Sequence, residues 1–246
     1  MIVESDSVGG AWLGALEQIV LHTGKEVSPI ILKINNHSAD SNEDDDLISE
    51  IDGFLEKHEA TKIEATSGTI FPQSLDGSGL SIFDRYENIW KYVKTEPKNK
   101  RGTYFRRLSA YGEKRGQKVN QLKHIIDTYN GTDSRGAVHR RSALIATTFD
   151  PHLDHLSTPL LGFPCLQQVC FKPSVADQNM SMNAIYAMQH LDMRGYGNYL
   201  GLMRLGRFMA RNMNLNFTHL NCMISVLKLD KMSKTRAGEL VEKYGE

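Results

Sequence analysis

The sequence predicts a single α+β domain over residues 1–246, a mixed β-sheet with helices packed on it. Three observations carry that prediction. Segments with apolar residues at helical spacing alternate with short, β-prone apolar runs. No internal repeat, low-complexity tract or strong domain boundary interrupts them. Hydrophobic residues at 40% and charged residues at 24% are the proportions of one ordinary globular core.

Taken in order, Ala11 to His22 carries Trp12, Leu16, Ile19 and Val20 on one helical face and stops before Gly24. The acidic run Asn42 to Asp46 suits the positive end of a helix dipole, with Leu47, Ile51, Phe54 and Leu55 as the apolar stripe behind it. Calcium-loop spacing is missing from this run. Residues 66 to 81 are rich in Gly, Ser and Thr and read as a long ordered loop, and Pro97 to Gly102 as a basic turn. Val119, Leu122, Ile126 and Tyr129 form one face of a helix that ends at Asn130-Gly131. Strands are expected over Ser142–Thr148, Leu166–Phe171, Met180–Tyr186 and Met223–Leu229, with a helix from about Tyr199 to Arg211.

Twenty-nine basic and 29 acidic residues cancel, so no global field draws in a nucleic-acid polymer or a membrane surface. A nucleotide, which needs only a few placed Arg, is not excluded. No apolar run approaches membrane-spanning length and no cleavable signal is visible, which favours the cytoplasm. Cys165, Cys170 and Cys222 are sparse and lack CxxC spacing, so neither a disulfide framework nor a structural zinc is expected. His152 and His155 lack a third ligand, and no metal site is expected. The Met-rich stretch from Met180 to Met223 reads as core packing, and Arg204, Arg207 and Arg211 as a solvated helix face.

The chemistry centres on Pro164-Cys165, at the junction between the loop STPLLGF and the strand LQQVCF. A thiol there is partly accessible, and it becomes a nucleophile if neighbouring cations stabilise its thiolate. Arg140-Arg141, just before the strand SALIATT, is a candidate source of such charge.

From Val119 to Asp230 the order of pieces resembles the thymidylate synthase and pyrimidine nucleotide hydroxymethylase superfamily. The pieces are VNQLKHIIDTYNG, HRRSALIATTFDP, GFPCLQQVCF, MSMNAIYAMQHLDMRGYGN and YLGLMRLGRFMA. The resemblance implies a large mixed sheet with helices packed on one side and a homodimer. It implies folate-dependent one-carbon transfer to C5 of a pyrimidine nucleotide, with 5,10-methylenetetrahydrofolate as cofactor. Cys165 matches the nucleophile that adds to C6. Arg140 and Arg141 match the pair that reaches the phosphate of the neighbouring subunit, for which bidentate guanidinium geometry is suited. Asn198 matches the amide that reads the O4 and N3 edge of the base. Gln168, Lys228 and Asp230 are the further substrate contacts implied, Glu87 in YENIW the organiser of proton transfer, and His190 and Asp192 the cofactor contacts.

The chain also departs from the family pattern. An Arg-Ser-x-Asp cluster is replaced by Ala187, Met188, Gln189 and His190, with Arg194 and Asp192 nearby but out of register. Leu166 follows the nucleophile where His is common, and Cys170 stands in place of a Gln. The N-terminal Arg-bearing phosphate loop is not recognisable, and the tail VEKYGE is not the apolar segment that closes over folate. Methylation of a uridylate-type substrate is the leading expectation and hydroxymethylation the runner-up. A non-catalytic nucleotide-binding homologue would explain the altered positions. A cysteine hydrolase would need a His and an orienting carboxylate near Cys165.

Overall fold

The computed structural model describes residues 1–36, 45–77, 79–113, 116, 118–132, 140–155 and 164–245. Its strands are β1 (Ile2–Ser5), β2 (Glu26–Val27), β3 (Ile30–Asn35), β4 (Ile145–Thr147), β5 (Leu166–Ser174), β6 (Asn179–Tyr186), β7 (Gln189–His190), β8 (Asn216–Ile224) and β9 (Leu227–Lys228). Its helices are α1 (Val8–Leu21), α2 (Asp45–Lys57), α3 (Ile63–Gly68), α4 (Ile82–Val93), α5 (Tyr104–Ser109), α6 (Gln121–Asn130), α7 (Pro151–Asp154), α8 (Tyr196–Asn212) and α9 (Lys234–Tyr244).

Six strands form a mixed sheet in the order β1-β3-β8-β6-β5-β4, and β2-β9-β7 form a small second sheet. The period of two along each strand separates the faces of the large sheet. Val3, Leu32, Cys222, Ala184, Val169 and Ala146 run across it as one hydrogen-bonded row, and every one is buried. The adjacent row, Ile31, Met223, Ile185, Gln168 and Thr147, belongs to the opposite face and is partly or fully exposed. Helices α1 and α8 lie against the sheet, and α8 buries almost its whole surface between β8 and α3. The α+β class and the mixed sheet agree with the sequence reading. Among the described residues no helix is long and apolar enough to cross a membrane.

Capping chemistry sets several boundaries. The Ser7 hydroxyl accepts from Gly10 N–H at 2.9 Å, so α1 begins at Val8, a turn earlier than the apolar stripe suggested. Asn120 caps α6 by accepting from Lys123 N–H at 3.0 Å, and Gly131, at φ 70°, ends it in the left-handed conformation. Asp45 and Asp46 sit in the first turn of α2; the rest of the acidic run lies outside the described residues.

Four expectations are corrected. The stretch 66–81 is not one loop but the end of α3 followed by two 3-10 turns, with Thr66 and Ser67 buried under α8. Close approach explains it: a Cβ on Gly201 would lie 2.7 Å from the Ser67 carbonyl oxygen. The run Met223–Leu229 is two strands, because Ser225 donates to the Tyr186 carbonyl at 3.0 Å and the chain then crosses into the small sheet. Ser142–Thr148 shortens to β4 behind a 3-10 turn, Arg141–Ala143. The arginines of α8, expected only as a solvated face, are also tethers, although Arg211 stays exposed. Arg204 holds Glu64 at 2.7 Å, Arg207 holds Asn36 at 2.8 Å, and Arg211 holds Asp76 at 2.7 Å.

Candidate active site

A cavity of about 1070 Å³ opens beside the N-terminus of β5. Its walls come from α3, the Glu96–Tyr104 segment, the Pro164-Cys165 junction, β7 and the first turn of α8. It gathers Cys165, His190 and Asn198 of the residues singled out in the sequence. Lys98, Lys100, Arg101 and Arg194 also line it, against the carboxylate of Glu96, so among the described residues its lining is predominantly cationic.

Cys165 is half-buried, whereas Cys170 and Cys222 are buried. Burial pushes the Cys165 thiol above its ordinary value, and the Arg194 guanidinium pulls it back. Arg194 was out of register in a linear reading. The π-helical turn Leu191–Gly195 inserts the extra residue that swings it onto the cavity wall, where it donates to the Thr66 hydroxyl at 3.4 Å. Trp12 fixes that turn through its indole N–H, which donates to the Leu191 carbonyl at 3.0 Å.

Tyr104, which the sequence reading passed over, opens α5 directly behind the Thr103 cap. Its hydroxyl accepts from Leu166 N–H at 3.5 Å and interacts with the Cys165 amide, so it sits at the base of the nucleophile. Burial raises its phenol to about 12, which keeps it a neutral hydroxyl at physiological pH. The legible signal was Gly-Thr-Tyr, a turn followed by a capped helix. Nothing in the spacing tied it to Cys165.

Neither the protein-family models nor the curated proteins give a match to this chain. The site therefore stands on its own geometry.

The other sequence candidates lie elsewhere. Glu87, on α4, pairs with Arg106 and with Lys118, each at 2.6 Å. The hydrogen bonds from Arg106 and Lys118 hold its carboxyl down to about 2, so it is a fixed anion near neutrality and lies off the cavity wall. Gln168 faces the outer side of the sheet, where its amide reaches the Cys170 sulfur at 3.5 Å. Arg140 is exposed at the turn before β4, and Arg141 belongs to that same turn. Neither residues 156–163, before Cys165, nor His139 are among the described residues.

Lys228 lies in β9, paired with His190 of β7 and Glu26 of β2. The Asp230 carboxylate stands 3.6 Å from His190 Nδ1. Asp192 is buried, and its carboxylate accepts from the N–H groups of Asp230, Lys231 and Met232 at 2.7 to 3.2 Å. It anchors the segment that follows β9 rather than facing the cavity. Arg107 spends its charge on Asp154, through two bonds of 2.7 and 2.9 Å. Gln121 locks the neighbouring wall by donating to the carbonyls of Arg107 and Thr147 and accepting from Thr147 N–H.

Proposed function

We propose that the protein is a pyrimidine-nucleotide C5 one-carbon transferase of the thymidylate synthase type, with Cys165 as its nucleophile. The observation that carries this reading is the convergence of Cys165, Arg194, Tyr104 and Asn198 on one predominantly cationic cavity, each from a different element. In this reading the Cys165 sulfur forms a bond to C6 of the ring. The C5–C6 π pair moves onto O4 as an enolate, and C5 becomes nucleophilic. Arg194 favours the thiolate that must attack, and later the thiolate that must leave. Asn198, 5% exposed in the first turn of α8, reads the O4 and N3 edge. Tyr104 holds a hydroxyl proton beside the reacting carbon, and the lysines and arginine of the 98–101 turn take the anionic end of the nucleotide.

At about 1070 Å³ the cavity lies at the upper end of the range usual for a small-ligand pocket. Methylenetetrahydrofolate, the cofactor implied by the resemblance, would supply the one-carbon unit there. His190 is on the wall and available to it; Asp192 is committed to backbone groups. Methylation remains the leading reaction, and that loss of Asp192 favours hydroxymethylation as the second. A thiol hydrolase would need His190, oriented by Asp230, to take the Cys165 proton. The charge bearing on the thiol is instead that of Arg194.

The same reading includes a cytoplasmic homodimer. The outer sheet face supports it, with Met223 at 42% and Ile145 at 39% exposure beside half-buried Ile31 and Ile185. Arg140, exposed at the edge of that sheet and outside its own cavity, suits a phosphate in the partner's cavity. The test is intact mass after incubation with 5-fluoro-dUMP, with and without methylenetetrahydrofolate. A covalent adduct on the wild type that is absent from Cys165→Ala supports the reading. The absence of both adduct and nucleotide binding overturns it.

A further inference from the structure

Substitution at C5 requires that the hydrogen there leave the ring as a proton, and a side chain of the cavity must receive it. Tyr104 cannot: burial raises its phenol to about 12, so near neutrality it already holds its proton. Lysine and arginine are proton-bound throughout the neutral range. Glu87 is committed to Arg106 and Lys118, and Asp192 to backbone N–H groups. Glu96 is exposed on the turn that also carries Lys98 and Lys100. Among the described residues of the cavity wall His190 is the one imidazole, the side chain that exchanges protons between about pH 5 and 8.

Strand pairing sets its position. Leu166 pairs with Tyr186, and Ala187 N–H donates to the Cys165 carbonyl at 3.0 Å. His190 follows Ala187 by three residues, a span of at most about 11 Å, so imidazole and thiol can contact the same ring-sized ligand. The Asp230 carboxylate stands 3.6 Å from His190 Nδ1. That leaves Nε2 as the nitrogen for the cavity, and the carboxylate stabilises the imidazolium formed when Nε2 takes a proton. The other charged groups around His190 are Lys228, its partner in β9, with Glu26 one strand further, and Arg194 on the wall. Its neighbour Gln189 is buried and neutral, with its side chain bonded to the Tyr199 hydroxyl. The His190 side chain is itself 29% exposed, so a proton it takes up can pass to solvent.

We propose that His190 is the catalytic residue that carries protons to and from C5 of the ring, with Nε2 as the exchanging nitrogen. The proposal rests on the pyrimidine-nucleotide reading and adds to it the group that moves the proton. The step balances with the nucleotide alone. The Cys165 thiolate bonds to C6, the C5–C6 π pair becomes the enolate, and the imidazolium gives its proton to C5. In reverse, neutral Nε2 takes a proton from C5. The C5–H pair then restores the double bond, and sulfur leaves with the S–C6 pair as thiolate. In D2O the proton delivered to C5 is a deuteron, so C5–H becomes C5–D with nothing else consumed.

The experiment follows the C5–H signal of dUMP by proton NMR in D2O, without folate, for wild type, Cys165→Ala and His190→Ala. Wild type should exchange C5–H, and Cys165→Ala should not. His190→Ala should still bind dUMP by calorimetry yet exchange at least about 100-fold more slowly, the lower end for loss of a general acid–base group. Added imidazole should restore its exchange, and more basic imidazoles should do so faster. A His190→Ala rate equal to wild type overturns the inference, and so does a slow variant that no imidazole restores. If His190→Ala does not fold, His190→Asn is judged on the same rate and rescue. Wild type that forms the Cys165 adduct with 5-fluoro-dUMP but leaves C5–H unexchanged overturns the inference alone. Wild type with neither adduct nor dUMP binding brings down the nucleotide reading itself, and this inference with it.

Discussion

Replacing Asp192 by Ala removes the anchor of the chain after β9. The carboxylate accepts from Asp230 N–H at 3.0 and 3.2 Å, from Lys231 N–H at 2.8 Å and from Met232 N–H at 2.7 Å. Those are three charge-assisted bonds, and the Met232 amide is buried. Each such bond is worth about 1.5–3 kcal/mol, but the three share one acceptor and do not add fully. Asp192→Ala should therefore cost roughly 4 kcal/mol, and Asp192→Asn, which keeps one oxygen, about half of that. For a chain of this size that corresponds to a fall in Tm of about 8–16 °C for the Ala variant. Urea unfolding followed by tryptophan fluorescence measures it. Trp12 is a local reporter, because its indole bonds to Leu191, the residue before Asp192. A loss below about 1 kcal/mol, at an unchanged m-value, would refute the anchoring role. Stability intact but cofactor binding lost would return Asp192 to the cavity, as the resemblance had implied.

Three further outcomes follow from the same structure. Gly201→Ala would place a Cβ 2.7 Å from the Ser67 carbonyl and 2.9 Å from Ile70 Cβ, forcing α3 off α8. Overpacking of this kind costs about 1–3 kcal/mol, measurable as a lower urea midpoint, and an unchanged midpoint would mean the helices yield freely. Hydrogen bonds from Lys243 and Tyr244 hold the Glu50 carboxyl at about 2, tying α9 to α2. A depressed carboxylate stabilises above its unfolded value of roughly 4.3 and loses that contribution as pH falls towards about 2. Glu50→Gln should flatten this part of the stability profile by about 1 kcal/mol, and a profile parallel to wild type would count against the tether. Arg194→Gln removes the cation that lowers the Cys165 thiol, so alkylation of Cys165 at pH 8 should slow several-fold and its pH midpoint should rise. Peptide mass mapping reads this, and an unchanged rate would remove Arg194 from the activation of the thiol.

The β4, β5 and β6 part of the large sheet was legible in the sequence because its signals are local, whereas β1, β3 and most of β8 were not anticipated. The runs around Val169 and Ala184 have the length and β-branched or aromatic content of strands, and the structure extends them by only a few residues. The helix ending at Asn130-Gly131 was legible from its stripe and its left-handed stop. The stretch 66–81 was misread because Ser and Thr there form helix only under the glycines of α8, a contact between residues far apart in the chain. The site shows the same division. Cys165 and Asn198 stood at positions whose local context could be argued. Tyr104 and Arg194 reach the cavity through a helix cap and a π turn, neither of which leaves a periodic trace. Gln189 was seen only as a departure from a family pattern. The Tyr199 hydroxyl that bonds its Oε1 is a helix-borne partner that spacing does not reveal.

The central claim is that Cys165 attacks a pyrimidine ring, and the most direct test is the intact mass of the protein after incubation with 5-fluoro-dUMP and methylenetetrahydrofolate. Fluorine at C5 blocks the elimination that would release the thiolate. The account predicts a mass increase that maps to Cys165, needs the folate for stability, and vanishes in Cys165→Ala. A wild-type mass that stays unchanged, in protein that does not bind the nucleotide at all, would contradict it and leave the α+β fold without this chemistry.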